Sequence, residues 1–113
     1  MKKLNEANTP LNAATHANHI GYSDVTPFEI VRVISDQTIE IREMGATLLN
    51  KPEFVAGGYA GVCTNNYDLE YGFEPQPQRA VYRARLRKDG YFYSPVGRHL
   101  LEDQPRKYYD YNF

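Results

Sequence analysis

The sequence is poor in cysteine and tryptophan: Cys63 is its one cysteine, and tryptophan is absent. One cysteine excludes an intramolecular disulfide. No apolar run approaches the ~20 residues that a membrane-spanning helix needs. Lys2 and Lys3 are followed by Leu-Asn-Glu and not by an apolar stretch, so we expect no secretory signal. These absences predict a protein of a reducing compartment, most simply the cytoplasm, with no membrane partner.

Catalytic and metal-binding patterns are also scarce. Cys63 and His99 could form a nucleophile–base pair, but nothing in the sequence places them together. His16 and His19 would share one face of a helix, yet no third ligand lies near them in the sequence. The glycine-rich segment 57–61 is not followed by Lys-Ser or Lys-Thr, which excludes an NTPase phosphate loop and favours a β-bulge or a barrel corner. We therefore expect a binding protein and not an enzyme, with no metal and no cofactor.

The chain has 113 residues, the size of one domain. A chain of this length buries roughly two thirds of its surface, so it forms a core without disulfides or metals. Hydrophobic residues make up 42% and charged residues 24%, which is a globular composition. Ten tyrosines and five phenylalanines are present. Because a domain of 13.0 kDa does not easily bury so many rings, we expect a homo-oligomer, most simply a dimer.

Local patterns predict an all-β protein. Segments with β-branched or alternating apolar residues cover 28–34, 38–43, 53–60, 67–74, 79–88, 91–93 and 98–101. Ser35-Asp36-Gln37 and Asp89-Gly90 are the turns of two hairpins, the second with a two-residue loop. Roughly five to seven short strands at this spacing indicate a small antiparallel barrel or sandwich over residues 23–113, which form a single domain.

The first 22 residues are predicted to lie outside this β domain. Thr9 and Pro10 can start a helix as its N-cap and first residue, and Gly21 can end it. Few large apolar side chains are available there to pack against a core. Residues 1–22 are therefore predicted to be a mobile arm, with a short weak helix over residues 9–20.

The net charge of −1 conceals an uneven distribution. Residues 1–78 carry five Lys/Arg and ten Asp/Glu, whereas residues 79–107 carry eight Lys/Arg and three Asp/Glu. Either the two halves neutralise each other across a sheet, or the C-terminal half presents a cationic face to an anion.

Three arginines dominate the cationic half. Because side chains alternate along a strand, Arg83, Arg85 and Arg87 share one face, spaced by about 6.6 Å. With a two-residue loop, Arg87 pairs with Phe92, so Phe92 flanks the arginines while Tyr93 joins the core. Guanidinium groups suit phosphate oxygens, and an aromatic ring suits a nucleobase. The alternative is that the row is solvated, or paired with Glu29, Glu40 and Glu43.

The C-terminal end is crowded with aromatic residues, namely Tyr108, Tyr109, Tyr111 and Phe113. Such an end either closes the barrel or a subunit interface, or forms a stacking wall beside the arginines. The predicted ligand-binding residues are Arg83, Arg85, Arg87, Tyr91, Phe92, Arg98, Tyr108 and Tyr109.

Several motifs resemble a group of small phage- and prophage-encoded proteins. They are a Phe-x-Pro-x-Pro step within Tyr71–Pro77, a basic strand and turn over Arg85–Phe92, and a Tyr-Tyr-Asp-Tyr-Asn-Phe end at residues 108–113. The segment Pro27–Ser35 also fits, so the resemblance covers residues 25–113. It implies a phage origin and a bacterial host cell, but no settled activity. Small phage proteins without catalytic residues are often host-takeover or counter-defence factors that act by binding.

These observations predict a non-enzymatic phage-type protein. The first interpretation is a sponge that sequesters a phosphorylated small molecule, such as a cyclic nucleotide signal of host immunity. The alternative is an inhibitor or accessory protein that docks on an acidic protein surface, for example on a CRISPR effector. A third is a barrel that binds single-stranded nucleic acid, which the net charge of −1 disfavours.

Overall fold

The computed structural model describes residues 8–50, 54–57, 60–63 and 69–109, which form strands and turns and contain no helix. The strands are β1 (His16–Ile20), β2 (Val25–Thr26), β3 (Phe28–Ser35), β4 (Thr38–Glu43), β5 (Gly45–Leu48), β6 (Phe54–Gly57), β7 (Ala60–Cys63), β8 (Tyr71–Glu74), β9 (Val81–Leu86), β10 (Phe92–Ser94) and β11 (Gly97–Glu102). The predicted all-β class is confirmed.

Six of these strands form a closed antiparallel barrel. The order β11-β10-β9-β4-β3-β1 closes because β11 also pairs with β1, with Ala17 opposite Leu101. The two-residue strand β2 pairs with the C-terminal end of β1 as a seventh strand of the sheet. Closure satisfies the backbone groups that an open sheet would leave at its edges.

Apolar side chains fill the barrel interior. In β4 the alternating residues Ile39 and Ile41 are fully buried, and Ala84 of β9 lies opposite Ile39. Phe28 and Phe92 complete the core with Ala17 and Leu101. Each large side chain buried in this way stabilises the fold by roughly 1.5–3 kcal/mol. Because side chains fill this interior, a ligand would have to bind on the outer surface.

Two further hairpins leave the barrel between β4 and β9. In the first, β5 pairs with β8, and in the second, β6 pairs with β7. In the glycine-rich segment 57–61, Gly57 of β6 lies opposite Ala60 of β7, and residues 58–59, on which the expected bulge or barrel corner falls, lie outside the described residues.

The helix predicted over residues 9–20 is wrong. One turn forms, in which the Ala14 amide donates to the carbonyl of Pro10 at 2.9 Å, and the chain then enters β1. The barrel needs a strand between β11 and β3, and pairing on both sides outweighs a weak local helix signal. The barrel thus includes residues on both sides of position 22, and residues 1–7 of the predicted arm lie outside the described residues.

The register of the hairpin between β9 and β10 also differs from the prediction. Leu86 pairs with Phe92, and the Arg87 amide donates to the Tyr91 carbonyl at 2.9 Å, so the loop has three residues and not two. Gly90 adopts a left-handed φ of 89°, as expected in a three-residue loop that ends on glycine. A shift of one residue moves every later side chain to the other face. Phe92 therefore lies in the core, and Tyr93 lies outside beside Arg85.

Gly97, the first residue of β11, has a backbone conformation and surroundings that favour glycine. Its φ is +133°, and a Cβ there would lie 2.9 Å from Nε2 of His19. We expect Gly97→Ala to lower the free energy of unfolding by about 1–3 kcal/mol, because both the backbone and the histidine would be strained. Gly72→Ala is the matched control, since its Cβ would meet Leu49 no closer than 3.5 Å. Urea denaturation measures the free energy of unfolding of the two variants. Equal losses would contradict the strain that we assign to a Cβ at Gly97.

Candidate functional site

The carboxylates of the first hairpin neutralise only part of the arginine-rich surface. Salt bridges join Arg42 to Glu29 at 3.3 Å and Arg83 to Glu40 at 3.2 Å. A third joins Glu43 to Arg79 at 3.2 Å. The alternative of paired arginines is thus correct for Arg83, which was predicted to bind ligand.

Four cations lie further along the sheet, beyond Arg83 in the direction of the turn between β9 and β10 and of β11. We call them the cationic face. They are Arg85, Arg87, Lys88 and Arg98. Tyr93 of β10 is directly opposite both Arg85 of β9 and Arg98 of β11, so these three residues form a row across neighbouring strands. Within the described residues, none of the four cations forms a salt bridge with a carboxylate. The positive charge that the sequence places in its C-terminal half is therefore concentrated here.

Two of these arginines are held against tyrosine rings. The guanidinium carbon of Arg87 lies 4.3 Å from the ring centroid of Tyr93, and that of Arg98 lies 5.1 Å from the centroid of Tyr91. Cation–π contacts of this kind contribute about 0.5–1 kcal/mol at exposed sites. They restrict the two guanidinium groups while leaving their N–H edges to bind an anion. Stacking thus prepares the arginines for a ligand.

Asp89 fixes the ring of Tyr93 from the turn. Its carboxylate accepts a hydrogen bond from the Tyr93 hydroxyl and another, at 3.1 Å, from the amide of Tyr91. The hydrogen bond from Tyr93 is the main reason that the pKa of Asp89 lies below its usual value. The same bond raises the pKa of Tyr93. Tyr93 therefore keeps its proton, and Asp89 stays ionised at neutral pH.

The aromatic residues expected to stack on a ligand lie elsewhere or are covered. Phe92 is 3% exposed and Tyr91 8%, so neither offers a free ring face. Tyr108, near the C-terminal end, pairs with Val25 of β2, the strand that pairs with β1. In the barrel, β1 is three strands away from β9 in either direction. Tyr109, half exposed, follows it there, so these two tyrosines lie beside β2 and not beside β9, and the stacking wall stays a prediction. Tyr111 and Phe113 lie outside the described residues. The homo-oligomer expected from the many aromatic residues stays a prediction.

A shallow depression adjoins the cationic face at the turn between β9 and β10. Its volume is about 470 Å³, and it is lined by Leu86, Arg87, Lys88 and Asp89. Ligand sites of small molecules commonly occupy volumes of about 300–1,000 Å³. The depression is wide open to solvent, and its lining combines the two cations Arg87 and Lys88 with the Asp89 carboxylate.

A serine–histidine pair that the sequence analysis missed lies inside the barrel. The Ser94 hydroxyl is 2.8 Å from Nε2 of His99, whose Nδ1 is 2.8 Å from the Ala17 carbonyl. Since a carbonyl only accepts, Nδ1 carries the proton and Ser94 donates to Nε2. The two-residue turn after Ser94, which places it opposite Gly97 and on the inner side, was the available signal. Cys63, the partner considered for His99, ends β7, and its side chain lies outside what the structure describes.

The surroundings of His99 favour a structural role for this pair. The residue is completely buried and packs edge-on against Phe28, with ring centroids 5.0 Å apart. Burial lowers the pKa of His99 to about 4, which makes it a poor general base at neutral pH. A backbone carbonyl, and not a carboxylate, orients its ring. The pair therefore satisfies the polar atoms of a buried histidine.

Metal and membrane sites receive no support from the described part of the chain. His16 and His19 lie on a strand, where residues three apart face opposite sides, so the predicted shared face is wrong. No group of three or more His, Cys, Asp and Glu side chains among the described residues could hold a metal ion. The same residues include no helix long and apolar enough to cross a bilayer.

The cationic face is the best-defined candidate site. Of the eight residues predicted to bind ligand, the structure brings together Arg85, Arg87, Arg98 and the buried Tyr91, and it adds Tyr93 and Lys88. Comparisons of the chain with protein-family models, with curated proteins and with solved structures found no match.

Proposed function

We propose that the protein is a non-enzymatic binding protein that captures a phosphorylated small molecule on its cationic face. The observation that carries the proposal is the stacking of Arg87 on Tyr93 and of Arg98 on Tyr91, at 4.3 and 5.1 Å. Arginines ordered before binding lose less entropy when a ligand arrives. Phosphate oxygens match the planar fork of a guanidinium group better than any other common biological anion except a carboxylate.

Phosphates dominate recognition in this proposal. The covered rings leave a nucleobase only the guanidinium planes to stack on, so bases contribute less than the sequence analysis expected. The resemblance of residues 25–113 to small phage-encoded proteins extends the proposal to a cyclic nucleotide signal of host immunity. The protein would bind such a signal without degrading it and so act as a sponge.

The test compares two arginine variants by isothermal titration calorimetry with ATP as the probe. We expect Arg87→Gln/Arg98→Gln to weaken binding by roughly one to two decades or more, since ATP loses at least one charge-assisted contact of about 1.5–3 kcal/mol. Arg83→Gln is the matched control, because Arg83 lies on the same outer surface but pairs with Glu40. We expect it to change the affinity by less than about threefold, as is typical of a rim charge.

Thermal melting separates binding from folding in the same variants. The double variant loses two cation–π contacts of about 0.5–1 kcal/mol each, so it should melt slightly below the wild type, whereas Arg83→Gln should change stability within about ±0.5 kcal/mol. A double variant that melts normally and binds ATP as the wild type does would refute the proposed site. Equal weakening by Arg83→Gln would mean that only the summed charge of the surface matters.

A second candidate, docking on an acidic protein, is favoured by the apolar side chains that border the cationic face. Leu86, which lines the depression, is 39% exposed, and Val96, two residues from Arg98, is 40% exposed. Protein interfaces combine arginines with apolar groups in this way, whereas a phosphate ligand does not need the latter. A glutamate-rich peptide with leucine side chains that binds more tightly than ATP, and is lost in Leu86→Ser, would favour this candidate.

A further inference from the structure

The two tyrosines under the arginines lie on either side of Phe92: the buried Tyr91 directly precedes β10, and Tyr93 lies within it. Tyr91 and Tyr93 flank Phe92, whose ring lies in the core, so both project from the opposite side of the chain. Residues two apart in an extended strand are separated by about 6.6 Å. The two rings are therefore fixed points, one further along the strand than the other.

The two arginines reach these rings from opposite neighbours. Arg87 follows β9 and stacks on Tyr93, whereas Arg98 belongs to β11 and stacks on Tyr91. β10 lies between β9 and β11 in the sheet. The two guanidinium groups thus lie over two different rings, one within β10 and one at the residue before it. Arg85 lies beside the Tyr93 ring, and Lys88 lies at the turn.

We propose that this arrangement forms two phosphate subsites, one at each stacked arginine, and that the ligand is a dinucleotide whose two phosphates are separated by a nucleoside. The inference rests on the proposed function and specifies its ligand class. The phosphates of a pyrophosphate share one bridging oxygen, so both remain at one subsite. Phosphates joined through a sugar are far enough apart to occupy both.

The same geometry predicts weak discrimination between bases. Neither ring offers a free face, since Tyr91 is buried and Arg87 lies over Tyr93. A base can stack on a guanidinium plane, which accepts any of the four. We expect adenine and uracil dinucleotides to bind within about threefold of each other, because no base-edge contact is required.

The experiment titrates the full-length protein with four probes: AMP, pyrophosphate, the 5′-phosphorylated linear dinucleotide pApA and cyclic diadenylate. We expect at least one of the two dinucleotides to bind at least ~10-fold more tightly than AMP and pyrophosphate, because a second charge-assisted contact contributes more than 1.4 kcal/mol. The linear and cyclic probes distinguish a nucleic-acid fragment from a cyclic signal as the source. A dinucleotide that binds no better than AMP would overturn the two-subsite inference and leave the proposed function intact.

Single variants locate the subsites. We expect Arg87→Gln and Arg98→Gln each to remove the dinucleotide advantage while changing AMP affinity less than about threefold, because AMP can use the remaining subsite. The control Arg83→Gln should keep the advantage. An advantage that survives both single variants would contradict the assignment of the subsites. Absence of binding by all four probes to the wild type would overturn this inference and the proposed function together.

Discussion

Replacing Asn18 by alanine is expected to lower the free energy of unfolding by about 3–5 kcal/mol, a large part of the stability of a small domain. Asn18 lies on β1, is completely buried and uses its whole amide. Its Nδ2 donates to Glu102 at 2.9 Å and to the Gln104 carbonyl at 3.0 Å. Its Oδ1 accepts from the amides of Phe28 and Arg106 at 3.4 and 3.3 Å. Alanine would leave the buried Phe28 amide without a partner and would also remove the part-buried bonds that tie β1 to Glu102, Gln104 and Arg106.

Asn8→Ala is the matched control for this prediction. Asn8 also bonds across the fold, accepting from the Leu101 amide at 3.0 Å and donating to the Gly90 carbonyl at 3.2 Å, but it is only partly buried. Water can replace these bonds, so we expect a loss of about 1 kcal/mol. Urea denaturation measures both variants, and we expect the slope of the free energy of unfolding against urea concentration to stay unchanged. Losses of equal size would show that Asn18 is not the central tie between β1 and the C-terminal segment.

The second large effect is a loss of stability in mild acid. Burial lowers the pKa of His99 from 6.5 to about 4 in the folded barrel. As pH falls below 6.5, the unfolded chain gains a proton on this histidine that the folded barrel does not accept until pH reaches about 4. Stability is therefore fully present above pH 6.5 and declines between pH 6.5 and 4. With 1.36 kcal/mol for each pKa unit, the loss attributable to His99 is on the order of 3 kcal/mol.

Urea denaturation from pH 7.5 to pH 4.5 measures this dependence, and His99→Gln isolates the contribution of the histidine. The variant should be less stable at pH 7.5 but show a shallower decline, because glutamine does not titrate. Parallel curves for the two proteins would contradict the prediction. NMR titration of the His99 ring in the wild type gives a second measurement that needs no variant. A ring that protonates near pH 6.5 in the folded state would also refute it.

The sequence predicts the first hairpin well and the N-terminal segment poorly. Residues 28–34 and 38–43 were expected as strands, and the structure has Phe28–Ser35 and Thr38–Glu43. The alternation that buries Ile39 and Ile41 is a local signal, which short sequence windows contain. Residues 16–20 contain no such signal. Their strand exists because β11, about 80 residues later, pairs with it, and no local pattern reports such a partner.

The candidate site follows the same division. Alternation along one strand correctly placed Arg85 outside the barrel. The exchange of Phe92 and Tyr93 between core and surface depended on whether the loop has two or three residues, and Asp89-Gly90 is compatible with both. The contact between Arg98 and Tyr91 depends on the pairing of β10 with β11, so it required the folded sheet.

Because β1 and β11 close the barrel, the barrel cannot finish folding until nearly the whole described chain has been synthesised. Ala17 pairs with Leu101, so the first barrel strand synthesised waits for the last one. At about 5–20 residues per second, translation separates the two by roughly 4–17 s. During that interval residues 16–20 lack the partner that makes them a strand, and the edge of β3 that they later cover stays open. Each new chain therefore passes through a period of several seconds in which chaperones, or another nascent copy, can occupy the place that β11 later takes.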